Sequence, residues 1–309
     1  GQGGKQSNVK KSLRGVPKRN NEANGKSSKR PWKLKNEKNG VIDLLTKWQS
    51  YDAINRMYGR VARKYNHPAL ERTNKGQNDG IQREVEETLE YIEGRIQDGT
   101  ANNAFYHVPV MTSVQRNNLE ATVMNPQTSK FARFLQTMGA WKSTLDPNKG
   151  DQTFVDLFLW GVGQGLGLKV DKQYSEKSIK QVKEMLEVNS QTGAKTQILI
   201  AVEAILATRS PEWDTLSEVE KTAYLESIEE AVALGGEQIH SLDALNNLAT
   251  YHNAVVNKES FETDIMLEVD GVTNGPFLAQ AQLGTIAGAA LAKFGLFTKA
   301  DGVKSIAEW

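Results

Sequence analysis

The sequence predicts an α-rich α+β fold, in which a small antiparallel sheet is built from segments that lie far apart along the chain. Apolar residues recur at helical spacing through most of residues 41–100 and 151–258. Short segments rich in β-branched and aromatic residues follow each of these stretches, at Phe105–Met111, Leu119–Val123 and Phe261–Val269. Strands separated by long helical stretches can pair only if the fold brings distant parts of the chain together.

The composition excludes several classes of protein. The chain has 309 residues, of which 39% are hydrophobic and 24% charged, as in a globular protein with an ordinary core. It has no cysteine, so disulfides, iron–sulfur clusters and thiolate zinc sites are excluded. Its four histidines lack the spacing of metal ligands. The longest apolar runs fall short of the roughly 20 residues that a membrane-spanning helix needs, so we expect no membrane partner.

The charge is distributed unevenly along the chain. Residues 1–40 contain twelve Lys and Arg against two acids, whereas the rest of the chain has a net charge of −9. This segment has almost no large apolar residues, which predicts a flexible, disordered basic tail. Such a tail adds sequence-independent affinity for nucleic acid, although a solvated linker that binds nothing fits the charge equally well.

The helical stretches divide into separate helices. Apolar residues at helical spacing over Val41–Val61 predict a helix that ends before Pro68. A second helix places these apolar residues on one face: Ile81, Val85, Leu89, Ile92 and Ile96. Later helices are predicted at Phe154–Leu166, Ser175–Val188, Ala194–Thr208, Ser217–Leu234 and Ser241–Val256, and another from Phe277. Ser217 and Glu220 have the spacing of a capping box.

A glycine-rich run, Gly161–Gly167, invites comparison with phosphate-binding loops. It matches neither the dinucleotide-binding nor the Walker spacing, and it follows a helical pattern rather than a strand. A helix end is therefore the prediction here.

Asp270 is the carboxylate best placed for catalysis. It follows the strand Phe261–Val269, whose Ile265, Leu267 and Val269 have the pattern of buried residues, and Gly271 comes directly after it. A carboxylate held on a rigid element can bind Mg²⁺ beside a reacting phosphate, and an adjacent glycine allows close approach. Asp-Gly and Asn-Gly are also common turn dipeptides, so these residues alone leave a hairpin turn open.

Three cations are candidates for binding phosphate. Arg116 lies in the turn between the first two strands, where its planar guanidinium could pair with phosphate oxygens. Lys130 and Arg133 follow Asn125-Pro126-Gln127 at the start of a short helix. Each of these residues also fits an exposed turn or a solvated helix face.

Taken in order, these segments resemble the single-subunit RNA polymerases of phages and mitochondria, most closely the large virion-packaged RNA polymerases of podoviruses. That family carries a T/DxxGR motif in a strand-turn-strand, then N-P-Q, then motif A with its metal-binding aspartate in D-G-V-T-N-G-P. The matching segments here are Thr112–Arg116, Asn125–Gln127 and Asp270–Pro276, and the likeness extends over residues 80–290. Gly165–Lys172 and the charged helix after it resemble the insertion in the family's palm.

The resemblance implies specific roles. Asp270 would be the first of two catalytic aspartates, and the carbonyl of Gly271 would complete that side of the Mg²⁺ shell. Arg116 would contact the nucleic-acid backbone near the active site, although Gln115 stands where the family has glycine and predicts a wider turn. Further residues fall on motif positions: Thr112, Asn125, Gln127, Asn274 and Gly275.

The implied architecture is part of a polymerase palm. The predicted parts are a basic tail (1–40), a helical region (41–100), a first palm segment (101–150), a helical palm insertion (151–258), and the motif A strand with its following helix (259–309). The implied reaction is DNA-templated, Mg²⁺-dependent addition of ribonucleotides to RNA. The implied partners are template DNA, nascent RNA and ribonucleoside triphosphates, in the phage virion or the infected host cytoplasm.

The second catalytic aspartate of the family is not recognisable in the sequence. Asp301 and Glu308 lie downstream of motif A, but neither follows an apolar strand. We therefore expect the chain to be inactive alone and to need motifs B and C from the same polypeptide or from a second subunit. Other virion proteins are further candidate partners. The alternative function is a non-catalytic virion protein that retains a degenerate palm and binds nucleic acid through its basic tail.

Overall fold

The α+β, α-rich class is confirmed by the structure, a computed structural model. It describes residues 31–48, 71–111, 117–138, 142–149, 152–170, 173–235 and 237–268, with no side-chain description at 71–78, 81 and 117. The helices are α1 (Val41–Thr46), α2 (Glu71–Gln97), α3 (Lys130–Phe134), α4 (Thr153–Gly165), α5 (Ser175–Glu184), α6 (Gln197–Arg209), α7 (Glu218–Leu234) and α8 (Gln238–Asn257). The strands are β1 (Trp32–Leu34), β2 (Pro109–Met111), β3 (Asn117–Leu119), β4 (Gln136–Met138), β5 (Ser143–Leu145) and β6 (Phe261–Thr263). A 3₁₀ turn covers Pro211–Thr215.

The chain divides into two units, Gly1–Met266 and Leu267–Trp309. Every helix and strand named above belongs to the first unit. The predicted basic tail lies outside the described residues except for its last ten positions, which include β1. The helix predicted from Phe277 also lies outside them.

The helices after residue 150 form where the sequence predicts them, with shifts at their ends. The capping box of α7 is confirmed: the Glu220 N–H donates to the Ser217 hydroxyl, and the Ser217 N–H donates to the Glu220 carboxylate. The start of α6 moves from the predicted Ala194 to Gln197, because the Thr196 hydroxyl accepts a hydrogen bond from Leu199 and caps the helix. The helix predicted at Ser175–Val188 ends at Glu184.

The first two helices differ more from the prediction. The described part of the first, α1, covers only Val41–Thr46 and is followed by a turn at Trp48, so the predicted helix to Val61 is not continuous. The second, α2, begins at Glu71, well before Ile81, the first residue of the predicted apolar face. It ends where the Arg95 guanidinium donates to two backbone carbonyls of the following loop. That guanidinium also lies over the ring of Phe105, which fixes the chain that leaves the helix.

Within the described residues the strands form three two-stranded antiparallel pairs: β1 with β4, β2 with β3, and β5 with β6. A hairpin forms in the predicted region. Its first strand is shorter than the predicted Phe105–Met111, and its second strand, β3, shares only Leu119 with the predicted Leu119–Val123, whose position is therefore wrong. After Leu119 the chain leaves the strand, and Met124, further on, is in the left-handed region at φ 56°. Strands β1, β4 and β5 were not predicted from the sequence.

The strand predicted at Phe261–Val269 is wrong in length, since β6 ends at Thr263. The Thr263 hydroxyl accepts a hydrogen bond from the backbone N–H of Ile265, and this local bond replaces the next ladder bond. Ile265 and Leu267 are half-buried rather than buried, and Val269 lies outside the described residues.

The predicted helix end in the glycine-rich run is confirmed. Gly161, Gly163 and Gly165 lie in α4, and Gly167 has φ 84° just after it. A Cβ added at Gly165 would lie 2.5 Å from the Cβ of Ala244, so glycine is what lets α4 approach α8 so closely. In the part of the chain that the structure describes, no helix is long and apolar enough to cross a membrane.

Candidate functional site

The hairpin β2–β3 flanks the segment predicted to bind the nucleic-acid backbone. Its strands pair with Met111 opposite Asn117, so Thr112–Arg116 connect two strands that are held in register. The two strands expected on either side of this segment are present. Thr112 and Arg116 themselves lie outside the described residues, and their roles stay predictions.

The Asn125-Pro126-Gln127 segment binds the end of this hairpin. The Asn125 amide donates to the carbonyl of Ala121 at 2.8 Å, and its Oδ1 accepts from the N–H of Gln127 at 2.9 Å. The Gln127 Oε1 in turn accepts from the N–H of Leu119, the last residue of β3, at 2.8 Å. Asn125 is buried. These two motif side chains therefore fix the backbone between β3 and α3.

Helix α3 carries the two cations predicted to bind phosphate. Its N-cap, Ser129, accepts a hydrogen bond from the N–H of Ala132, which holds the first turn. Lys130 pairs with Glu237 at the start of α8, while 54% of its side chain remains exposed. The Arg133 Nε donates to the carbonyl of Pro126 at 2.7 Å, so this guanidinium helps to fix the Asn125–Gln127 turn. Their binding of nucleic acid stays a prediction.

The pKa of His240, in α8, is affected by the charges beside α3. The ring stacks on Phe134 with centroids 3.9 Å apart. Burial, together with the charges of Lys35, Lys130 and Arg133, lowers the pKa of His240 to about 4. His240 is thus neutral at pH 7, and the positive charges of three separate residues act on this part of the fold.

Strand β6 precedes the predicted catalytic aspartate in the sequence. Phe261 packs edge-to-face against Phe158 with centroids 5.1 Å apart, and the Thr263 hydroxyl donates to the Asn247 Oδ1 at 2.8 Å. Asp264 follows the strand and lies 3.4 Å from the ammonium of Lys35. The other predicted site residues here lie outside the described part: Asp270, Gly271, Asn274 and Gly275.

Lys35 is the centre of a buried charge cluster that the sequence did not predict. Its Nζ lies 2.9 and 2.8 Å from the two carboxylate oxygens of Asp243, and both side chains are 2% exposed. With Asp264 the cluster has two carboxylates for one ammonium. Burial and the Asp264 charge raise the pKa of Asp243 to about 6, despite the opposing effect of Lys35. Burial lowers the pKa of Lys35, but the two carboxylates outweigh it and the pKa is raised.

A cavity of about 520 Å³ lies beside this cluster and is lined by residues of β1, β4 and β6. Its charges are mixed, because Lys33 and Lys142 lie opposite Glu37 and Glu262. Across the described ranges no group of His, Cys, Asp and Glu could hold a metal ion. The cavity therefore does not have the uniform charge expected for binding phosphate or a metal ion.

Two family models match the chain. Residues 19–136 match a virion DNA-directed RNA polymerase domain, and residues 156–252 match the plug insertion of virion DNA-directed RNA polymerase. The chain belongs to the bacteriophage virion RNA polymerase family. It has no match among curated proteins.

In this virion polymerase chain, the hairpin, the Asn125–Gln127 turn and α3 all lie in the first matched domain. The plug insertion begins in α4 and ends in α8, within the range 151–258 that the sequence assigns to a helical insertion. The exact domain limits inferred from the sequence stay predictions. Asp270 lies after both matched ranges.

Proposed function

We propose that this chain supplies the first palm segments of a DNA-templated RNA polymerase, with Asp270 as its first catalytic carboxylate. The observation that carries the proposal is the order of the segments. A D-G-V-T-N-G-P string follows β6 in a chain whose preceding domains match virion RNA polymerases. The reaction is attack of the RNA 3′-hydroxyl on the α-phosphate of a ribonucleoside triphosphate, with loss of pyrophosphate.

The donor atoms near Asp270 suit Mg²⁺. The carboxylate of Asp270 and the carbonyl of Gly271 are hard oxygen ligands of the type that this ion takes. When bound, Mg²⁺ supplies neutralisation of phosphate charge and activation of the attacking hydroxyl. Asp270 would hold the ion and Gly271 would leave room for the substrate. The second carboxylate would come from motif C, either in the same polypeptide or in a second subunit.

The first domain would hold the nucleic acid. Arg116, Lys130 and Arg133 would contact phosphates of the template or of the RNA–DNA hybrid. Two observations support this role: the hairpin on either side of Thr112–Arg116 is held in register, and the Lys130 side chain stays half-exposed although it pairs with Glu237. Lys130 and Arg133, whose charges help to lower the pKa of His240, supply positive charge at α3.

The test is Asp270→Ala in the polymerase at its natural length, on a DNA template. Loss of a metal-binding carboxylate costs several kcal/mol of transition-state stabilisation, so nucleotide incorporation should fall by about 10³-fold or more. DNA binding should be unchanged. Asp301→Ala is the matched control and should retain full activity. Unchanged incorporation in Asp270→Ala would contradict the proposal and favour a non-catalytic virion protein that binds nucleic acid.

A further inference from the structure

Helix α8, whose residues up to 252 lie in the matched plug insertion, contacts β6 through polar side chains. The Asn247 Oδ1 accepts the hydrogen bond from the Thr263 hydroxyl, and the Asn247 amide donates to the carbonyl of Asp243 at 2.9 Å. All three side chains are buried. The Thr263–Asn247 bond joins β6 to α8, and the bond from the Asn247 amide to Asp243, within α8, holds the Asn247 side chain in place.

The charge cluster makes a second contact between the same two elements. Lys35 lies just after β1 and bridges Asp243 of α8 to Asp264, the first residue after β6. The ammonium contacts both oxygens of Asp243, so its position is defined by the helix rather than by β1 alone. The position of Asp264 therefore depends on an ammonium that α8 holds in place.

The ladder of β6 is too short to fix the strand by itself. It pairs with β5 over three residues, Ser143 to Leu145 opposite Thr263 to Phe261. Isolated two-stranded pairs of this length are marginal in water. The chain beyond Thr263 also has no strand partner in the described residues. Its position must therefore be fixed by side-chain contacts.

We propose that Asp243, acting through Lys35, is a positioning residue for the end of β6, so that α8 holds the chain that continues in sequence to Asp270. The inference rests on the proposed role of Asp270. A buried ion pair contributes little net stability, but here the contact of the Lys35 ammonium with both oxygens of Asp243 defines one geometry, as a positioning contact requires.

Hydrogen exchange tests the placement directly, without catalysis. In Asp243→Asn the Lys35 ammonium keeps only Asp264 as a charged partner, and exchange of amides in 261–266 should accelerate about ten-fold or more. Amides of the β2–β3 hairpin should be unchanged. Thr263→Val removes the Asn247 bond instead, and should have the same local effect if Asp243→Asn folds poorly.

Ser241→Ala is the matched control. Ser241 is also buried in α8, but its hydroxyl donates to the carbonyl of Gly165 in α4 and does not contact β6. Exchange in 261–266 should therefore match that of the unmodified protein. Equal exchange in this range for Asp243→Asn and Ser241→Ala would overturn the proposal. So would a uniform acceleration over the whole chain, since Asp243 would then act on global stability alone.

Nucleotide incorporation at natural length separates this inference from the function on which it rests. Asp243→Asn should lower kcat about ten-fold with little change in KM, because a displaced carboxylate affects the transition state more than substrate binding. If Asp270→Ala abolishes incorporation while Asp243→Asn leaves kcat unchanged, only the positioning role fails. If Asp270→Ala leaves incorporation unchanged, the polymerase function itself fails.

Discussion

The side-chain carbonyl of Gln127 accepts a hydrogen bond from the backbone N–H of Leu119 at 2.8 Å. Leu119 ends the hairpin strand that begins directly after Arg116 in the sequence, so the Asn125–Gln127 segment is bonded to this strand. Arg133 adds to this segment through the carbonyl of Pro126. The Asn125–Gln127 motif therefore supports the hairpin, and any effect on nucleic acid would act through that support.

Gln127→Ala should weaken DNA binding by loosening the hairpin. The Leu119 N–H loses a neutral partner near the surface, so the free energy of unfolding should fall by only about 0.5–1.5 kcal/mol. DNA affinity, measured by fluorescence anisotropy at fixed salt, should fall at the same time. Gln82→Ala, which removes an exposed bond between side chains of α2, is the control for stability. Unchanged DNA affinity in Gln127→Ala would show that the hairpin does not need this bond.

Lys35→Met should be among the most destabilising single changes in the chain. It leaves Asp243 and Asp264 close together with no cation, which costs about 3–5 kcal/mol when one partner of a buried pair is removed. Urea denaturation at pH 7 measures the change. The double variant Lys35→Met/Asp243→Leu removes the stranded charge as well and should recover much of the loss. A double variant as unstable as Lys35→Met would contradict this account.

Local sequence signals predicted the local structure well. The capping box of α7 needs only Ser217 and Glu220, three residues apart, and it forms as predicted. A hairpin also forms near the predicted place, but its second strand is the polar Asn117–Leu119 rather than the β-branched run that follows it. The end of β6 was not predicted because it depends on a single side chain. The Thr263 hydroxyl accepts a hydrogen bond from the N–H of Ile265, and this bond takes the place of the next bond of the strand pair.

The charge cluster could not be predicted from the sequence. Lys35 and Asp243 are 208 residues apart, and nothing near either residue distinguishes it from an ordinary surface charge. Only the packing of α8 against β1 and β6 brings them together. The motif A aspartate is the opposite case, since Asp270 is prominent in the sequence but lies outside the described residues, and its role stays a prediction.

Asp243 should make the protein more stable as the pH falls from about 7 toward 4. Its pKa in the folded state, about 6, is above the ordinary value of 3.8, so the folded chain binds a proton before the unfolded chain does. Protonation therefore favours folding in this window. Urea denaturation at several pH values across this range measures the free energy of unfolding. As the pH falls, this free energy should gain less in Asp243→Asn than in the unmodified protein.

His240 should make the protein less stable as the pH falls over nearly the same range. Its pKa falls from 6.5 to about 4 on folding, so the unfolded chain binds the proton first and stability is lost as the pH falls through this range. His240→Gln should remove that loss. The two variants should thus change the pH dependence with opposite signs, and a change of the same sign in both would refute the assignment.

Gly165→Ala should destabilise the fold, although alanine is the better helix former. Its Cβ would lie 2.5 Å from the Cβ of Ala244 and 3.1 Å from the carbonyl oxygen of His240, so α4 and α8 must move apart. Overpacking of this kind costs about 1–3 kcal/mol. Gly94→Ala in α2 is the matched control, because its Cβ would meet nothing within 4 Å, and it should stabilise the helix by up to about 1 kcal/mol. Urea denaturation of both variants measures the difference, and a gain of stability in Gly165→Ala would mean that α4 and α8 are less tightly packed than the structure has them.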